Sequence, residues 1–458
     1  MAIRFTNTLT GQKEDFLPLN PPEVTMYVCG VTVYDDSHIG HARGAVVFDV
    51  LRRFLQASEF NVRHVRNITD VDDKIIDRAR KEGGDLKQAA KAVAGRYTER
   101  FRADFAQLGL LPPHEEPKAT EFIEKMIVFI QDLITRGMAY EGGDGVYFSV
   151  RKLPEYGRLS RQKPDQMMEN AHVDAGQGKK DPLDFALWKK AKPEEPSWLS
   201  PWGLGRPGWH IECTTMSTDL LKDSFDIHGG GQDLVFPHHE NELAQALGAG
   251  KPFARVWLHN GLLTVNGQKM SKSLGNFVTI EEALKRHPAD VLRLFFLSAH
   301  YRSPQDFTWE HLDEAARAYE RLAAFLDHTG DFAQGKETAE IRKAEEKFHA
   351  ALEDDLNTPK ALAALYDLRA AVTHGKTDSL EAAAAIEKLG RILGLFLSDN
   401  ATAPCALYPE EVQELLDERE TARAHKDFAA SDRIRKQLTE MGYVVEDTAA
   451  GTVVRKHA

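Results

Sequence analysis

Cysteine is almost missing from this chain: Cys29, Cys213 and Cys405 are the only three among 458 residues. An odd, sparse set argues against the disulfide framework that staples small secreted domains. Taken one at a time, each reads first as a small buried hydrophobe. Long apolar runs are missing too, and no stretch reaches the length of a membrane span. The opening residues, MAIRFTNTLTGQKEDF, lack the apolar core of a secretory signal. The expected setting is cytoplasmic, with no membrane partner. Positive charge is in deficit, with 58 Lys and Arg against 70 Asp and Glu, a net charge of −12. That argues against a chain that is basic throughout, but it leaves room for a local basic face. Internal repeats are absent as well.

What is present is the composition of a globular protein, 42% hydrophobic and 28% charged. The length suits about three domains. Residues 24–28 (VTMYV) read as a short buried strand ending at Cys29-Gly30. A helix follows SHIGH, since Val46, Val47, Val50, Leu51, Phe54 and Leu55 recur at helical spacing. Residues 62–68 read as a second strand leading into TDVDDK. Strand, helix and strand over this length make a βαβ unit, so the opening is α/β with a parallel sheet. From Pro112 to about Gly205 one periodic helix, Glu121 to Gly137, precedes polar sequence rich in Gly and Pro, including DAGQGKKDP and KPEEPSWLSPWGLGRPG. This stretch reads as an insertion. Two further strands, SFDIHGG and FARVWLHNG, resume the α/β pattern, and their C-terminal loops are where open sheets bind ligands. After about Asn276 Pro and Gly thin out, and LDEAARAYERLAAFLDHT and KALAALYDLRAAVTH are amphipathic helices. LSDNATAPCALYP (397–409) reads as a linker to a small tail domain.

Three stretches carry chemistry. In CGVTVYDDSHIGHARG, His38 and His41 are three apart and share a face of the first helical turn, with Gly40 between them permitting close approach of a ligand. A helix N-terminus offers N–H groups and a dipole suited to phosphate, and two histidines there can donate to its oxygens. In NGQKMSKSLGN, Lys269 and Lys272 can neutralise phosphate, while Gly267 and Gly275 permit a mobile loop. The third stretch, IHGGGQDLVFPHHENELAQAL (227–247), crowds histidines and acids together. Pro237 suits a first helical turn, so His238 and Glu242, four apart, point the same way and His239 is rotated about a quarter-turn off. If the helix begins one residue later, His239 could instead pair with Cys213 or Cys29.

Together the first two stretches resemble the HIGH and KMSKS signatures of class I aminoacyl-tRNA synthetases, at residues 38–41 and 269–273. MYVCGVTVYD, RNITDVDDKI, GWHIEC, DIHGGGQDLVFPHHENE, ADVLRLFFLS and HYRSPQDF narrow the resemblance to the cysteinyl-tRNA synthetase family. It runs on to KDFAASDRIRKQL and DTAAGTVVR and so covers essentially the whole chain. The resemblance implies a Rossmann-like parallel-sheet catalytic domain with an insertion, a helical domain and a small C-terminal α+β tail. The corresponding spans are 1–111 with 206–275, 112–205, 276–396 and 397–458. It implies one zinc ion held by Cys29, Cys213, His238 and Glu242, all ordinary zinc donors. It places ATP, with Mg2+, against His38, Gly40, His41, Gly230, Asp233, Lys269 and Lys272. His38, His41, Lys269 and Lys272 would be the catalytic group. Thr69, Trp209 and His228 would line the cysteine pocket, with His210 and His239 behind the ligands.

The implied reaction forms cysteinyl-adenylate from ATP and L-cysteine, then charges tRNA(Cys), with zinc selecting the substrate thiolate. In the tail, Arg419, Arg423 and Lys426 fall on one helical face, and Arg433 and Lys436 form a second pair suited to the anticodon end. A monomer is expected. Two rivals share some of these features: a cysteine–amino-sugar ligase of mycothiol synthesis, which needs no anticodon-binding tail, and a non-catalytic tRNA-binding paralogue, which needs no intact signatures.

Overall fold

Four strands pair in parallel to form the central sheet, in the spatial order Phe253–Asn260, Ser224–Gly231, Glu23–Val28, Asn61–Arg66. The register sets Met26 opposite Ile227 on one side and His64 on the other. The structure, a computed structural model, describes residues 2–163, 178–271, 274–327 and 338–397. Beyond those it describes residues 415, 419, 422, 428–441, 443–448 and 451–456. The chain divides into two compact units, Met1–Leu397 and Ser398–Ala458.

The strand earliest in sequence, Glu23–Val28, lies inside the sheet, with its successor on one side and the later pair on the other. The connections therefore leave it in opposite directions, which opens a crevice outside the carboxyl ends of Glu23–Val28 and Ser224–Gly231. Val24, Met26 and Tyr27 are all fully buried, as a strand covered on both faces requires. The helix Ile39–Ala57 packs on the sheet through Val46, Val50, Leu51, Phe54 and Leu55. Each such side chain contributes about 1.5–3 kcal/mol of apolar burial. A buried ion pair fixes this helix to the helix Ala289–Leu297: Arg293 donates to Asp49 Oδ2 at 2.6 Å and also to the carbonyls of Leu108 and Leu393. The α/β reading of the sequence is borne out, although the second strand stops at Arg66.

Between the two halves of the sheet stands more than a polar connection. After the helix Ile123–Thr135 come five short strands, Ala139–Glu141, Gly145–Phe148, Phe185–Lys190, Trp198–Ser200 and Gly203–Pro207. They form one antiparallel sheet, with Gly203–Pro207 between Phe185–Lys190 and Trp198–Ser200. The Gly- and Pro-rich run 192–208, read from the sequence only as part of an insertion, thus makes a hairpin. Residues 174–177 of DAGQGKKDP lie outside the described residues.

The helices Ile280–Arg286, Ala289–Leu297, Trp309–Asp327, Ala339–Glu353, Thr358–Thr373 and Ser379–Ile392 complete the first unit. In the second unit a helix, Phe428–Glu440, accompanies an antiparallel hairpin, Tyr443–Thr448 with Gly451–Lys456. That helix buries Ser431, Ile434 and Leu438 and exposes Arg433, Arg435 and Lys436. Arg419 is buried at 2% exposure, so it does not join an exposed basic face. Arg423, Lys426, Cys405 and the linker residues 398–409 lie outside the described residues.

Candidate active site and metal cluster

The crevice receives residues from both flanking strands. Cys29 follows Val28, and its backbone N–H donates to the Gly229 carbonyl across the switch point. Cys213 sits in the helix Trp209–Leu221, while His238 stands in a tight turn just before the helix Glu240–Gly248, which carries Glu242. Donor atoms of Cys29, Cys213, His238 and Glu242 all lie within 4.8 Å of one another. His238 Nε2 is 3.1 Å from Glu242 Oε1, as their four-residue spacing suggested, and Cys29 Sγ is 3.4 Å from the same oxygen. A second set meets the same condition: Cys29, His228, His239 and Glu242. His239 Nε2 approaches Cys29 Sγ at 3.3 Å, so the alternative left open by the sequence has a counterpart in the structure.

Electrostatics suit a cation here. Burial pushes the Cys29 and Cys213 thiols up and the His238 and His239 imidazoles well down. Neutral imidazole is the form that ligates a metal. Each of these two rings is held from behind: His238 Nδ1 by His210 Nδ1 at 2.9 Å, and His239 Nδ1 by His259 Nε2 at 2.8 Å. Burial also lowers His210 and His259 to about 3. The hydroxyl of Tyr27 is fully buried beside Cys213, Cys29 and Glu242. Two thiols, one imidazole and one carboxylate form a donor set that fits a zinc ion.

The expected pocket residues are placed unevenly. Trp209 is 38% exposed and stacks on His238 at 4.2 Å, so it borders the cluster on an open side. Thr69 is buried and donates to Glu212 Oε2 at 2.9 Å. His228 lies inside its strand rather than at the strand's end. It is fully buried and 3.0 Å from Glu242 Oε2. Sequence reasoning passed over Glu212, His259, Tyr27 and Asn67. Glu212 sits inside GWHIEC, and His259 occupies the C-terminal end of a strand, a position that could have marked it. Asn67 Oδ1 accepts from the Gly30 N–H at 2.8 Å and so ties the end of one strand to the next.

The HIGH residues cap their own helix. His38 is the N-cap, and its Nδ1 accepts from the N–H groups of Gly40 and His41 at 3.1 and 3.3 Å. His41 Nδ1 accepts from the His38 N–H at 3.4 Å, and the two rings stack at 3.6 Å. Two helix N–H groups that the sequence assigned to phosphate are therefore already occupied. Both neutral rings must then carry their proton on Nε2. Burial, then His38 and Lys74, holds His41 well below the usual histidine range. A Cβ on Gly40 would stand 2.9 Å from the His38 ring, so glycine is needed for the stack itself. A Cβ on Gly230 would likewise meet the His239 ring at 2.7 Å.

The segment after KMSKS zips onto HIGH: Ile39 N–H donates to the Val278 carbonyl, and Ile280 N–H to that of Ser37. Lys269 is exposed on a short strand, with its carbonyl held by Asn276 Nδ2. Lys272 and Ser273 lie outside the described residues. Asp233 is exposed in the turn that follows Gly231.

Comparison with known proteins places this geometry. Residues 15–317 match the tRNA synthetases class I (C) catalytic domain, 347–397 the DALR domain, and 407–455 the cysteinyl-tRNA ligase anticodon binding domain. A cysteine–tRNA ligase of Persephonella marina is 46% identical, with all of both chains covered. One of Geobacter sulfurreducens is 47% identical over 99% of each. Among solved structures, Mycobacterium tuberculosis methionyl-tRNA synthetase in complex with methionyl-adenylate superposes with a TM-score of 0.61 at 16% identity, covering 89% of this chain and 96% of that one. That likeness speaks for the fold alone. Matched along its whole length at close to half identity, with all three domain matches in order, the chain belongs to the cysteinyl-tRNA synthetase family.

Proposed function

We propose that this protein activates L-cysteine with ATP to cysteinyl-adenylate, releasing pyrophosphate, and then transfers the cysteinyl group to the 3′ end of tRNA(Cys). One observation carries the reading: a donor cluster of two thiols, an imidazole and a carboxylate lies at the switch-point crevice from which the HIGH helix also starts. Cys29, Cys213, His238 and Glu242 are the proposed zinc ligands. The second set, with His228 and His239, has both imidazoles fully buried. The first borders the partly exposed Trp209, where a substrate can arrive. Zinc there would supply a soft Lewis acid that favours the thiol of cysteine over the hydroxyl of serine.

The remaining roles fall to the chain's own groups. Neutral His38 and His41, each with an Nε2 proton to donate, are assigned to ATP phosphate oxygens. Lys269 and Lys272 neutralise the charge that develops there, alongside Mg2+ brought with ATP. Gly230 and Asp233 border the nucleotide, the exposed carboxylate accepting from ribose hydroxyls. Thr69, Trp209 and His228 shape the cysteine pocket. Thr69 and His228 act from behind it, since the first is committed to Glu212 and the second to Glu242. The catalytic domain comprises 1–111 and 206–275, interrupted by a connective insertion at 112–205. A stem-contact and helical region follows at 276–396, and 397–458 read the anticodon end.

Cysteine-dependent exchange of pyrophosphate into ATP, followed by charging of tRNA, tests the reading. Exchange without charging would reassign the chain to the amino-sugar ligase class. Tight tRNA binding with neither activity would make it a binding paralogue. Lys272→Ala should slow exchange by on the order of 10²-fold while leaving cysteine affinity in place, as expected when one phosphate-facing charge is removed.

A further inference from the structure

Between the central sheet and the helix Ile39–Ala57 lies a cavity of about 20 Å3 with polar groups set among apolar side chains. Asp49 and Arg52, three apart, reach it from the helix. His64 and Arg66 reach it from alternate positions of the strand Asn61–Arg66. Leu110 and Leu111 close it where the chain turns toward the insertion. Arg52, His64 and Arg66 are deeply buried, at 8%, 6% and 9% exposure. Yet Arg52 Nε, Arg66 Nε and both ring nitrogens of His64 have no hydrogen-bond partner among the described residues.

The neighbouring carboxylates are already taken. Asp49 is shared by Arg53 and Arg293 at 2.8 and 2.6 Å, and its Oδ1 accepts from the Leu111 N–H. Glu116 is shared by Arg66 and Arg102 at 2.7 and 2.8 Å. Two carboxylates thus serve four guanidinium groups before Arg52 is counted. Arg52 donates to the Pro112 carbonyl at 2.7 Å and makes no ion pair among the described residues. His114 does little to relieve it. A neutral imidazole accepts at one nitrogen only, so it cannot take both the His64 N–H and Arg52 NH2. A cation buried without a counter-charge is strongly unfavourable.

Size and donor count select the ligand. About 10–15 Å3 holds one small sphere, so phosphate, sulfate and carboxylates are too large for this cavity. Burial, with Arg66 and Arg52 beside it, lowers the His64 imidazole to about 3, so the ring is neutral and donates through one nitrogen. With the two Nε–H groups, that places three donors around one small space. A water molecule has two lone pairs and no charge to set against the excess of cations. A halide ion accepts from all three donors and supplies the missing charge. The geometry points to a structural site for one monovalent halide ion, chloride, held by Arg52, His64 and Arg66. Glu116 and the rings of Phe101 and Phe105, each 4.9 Å away, fix the end of Arg66 and leave its Nε to the cavity. The ion joins the strand and the helix to residues 109–112, where Arg53 and Arg52 already hold the Gly109 and Pro112 carbonyls. Its binding is independent of the reaction proposed above.

The test uses the full-length protein and replaces sodium gluconate by sodium chloride at fixed ionic strength. The urea midpoint should rise along a saturating curve, as binding to the folded state alone requires. Hydrogen exchange at the Leu111 amide, which Asp49 holds, should slow about 10-fold at roughly ten dissociation constants of chloride. Arg52→Met and His64→Leu should lose both responses. Arg63→Met should keep them, because Arg63 is exposed on the other face of the same strand and pairs with Glu115. Crystals of the parent grown in bromide should show an anomalous peak between Arg52, His64 and Arg66, whether or not either cavity variant folds. Equal midpoints and exchange rates in gluconate and chloride would overturn the inference, even with a bromide peak, since that would be binding at crystal concentration only. Density for a water with no anomalous signal would overturn it as well. So would a chloride response that survives in both cavity variants, because the ion would then lie elsewhere.

Discussion

Arg43, two residues beyond HIGH, is fully buried, yet it carries a charge. Its NH1 donates to the carbonyls of Gly261 and Leu262 at 2.8 and 2.7 Å, and its NH2 to that of Ser303 at 2.5 Å. Burial lowers its pKa to about 10, which still leaves it cationic at neutral pH. Arg43→Met keeps much of the stem and strands three carbonyl groups. Each unsatisfied acceptor costs about 1–3 kcal/mol, and relief from burying the cation returns part of that. The expected net loss is about 3–5 kcal/mol, read as a lower urea midpoint for the catalytic unit. The same bonds anchor the start of the strand Leu263–Val265, which pairs with the strand containing Lys269. At a permissive temperature, the KM for ATP in pyrophosphate exchange should therefore rise while that for cysteine moves little. Arg43→Lys should recover only part, because one ammonium cannot span three carbonyls as a planar fork does. Parental stability and an unchanged KM for ATP in Arg43→Met would refute this account.

Other consequences are open to measurement. Purified Cys213→Ala and His238→Ala proteins should lose bound zinc, whereas His239→Ala should keep the site at about 10–100-fold weaker affinity. Full zinc in His238→Ala with loss in His239→Ala would establish the other donor set. A chain ending at Asn400 should retain cysteine-dependent exchange and charge tRNA poorly. Undiminished charging at physiological salt would deny the tail its role. Asp104 is pushed up to about 6 by burial and by neighbouring Asp36 and Glu281. A carboxylate raised in the folded state destabilises it above that pKa, and the penalty fades as pH falls toward the unfolded value. Asp104→Asn should thus stabilise the protein by about 1–2 kcal/mol at pH 8, a value reduced for partial exposure, with no gain left near pH 4. A gain independent of pH would contradict this.

Much of the fold was legible because parallel strands buried on both faces are written as short apolar runs, as in VTMYV. The helix after HIGH carries its stripe of Val, Leu and Phe in plain order. The insertion's sheet was not legible. Ala139–Glu141 and Trp198–Ser200 span three residues each, too short for alternation to register, and Gly203–Pro207 is composed like a turn. Its partners are what make it a strand. At the site, the spacing of His238 and Glu242 correctly brought them together. Spacing could not place His228 and His239 on the same cluster, because that depends on pairing between strands some 200 residues apart. Arg419 misled for a related reason, since helical spacing reports which residues share a face and not which face is covered.

The position of Glu23–Val28 inside the sheet has a consequence for how the protein is made. One edge of this strand pairs early, with Asn61–Arg66, but the other waits for Ser224–Gly231. At about 5–20 residues per second, the roughly 200 intervening residues take on the order of 10–40 s to leave the ribosome. Throughout that interval the nascent chain presents an unpaired, largely apolar strand edge, the kind of surface that recruits another chain. Synthesis that stalls before residue 224 should therefore yield an aggregation-prone fragment that depends on chaperones. A fragment ending between residues 213 and 224 would also hold Cys29 and Cys213 without His238 and Glu242.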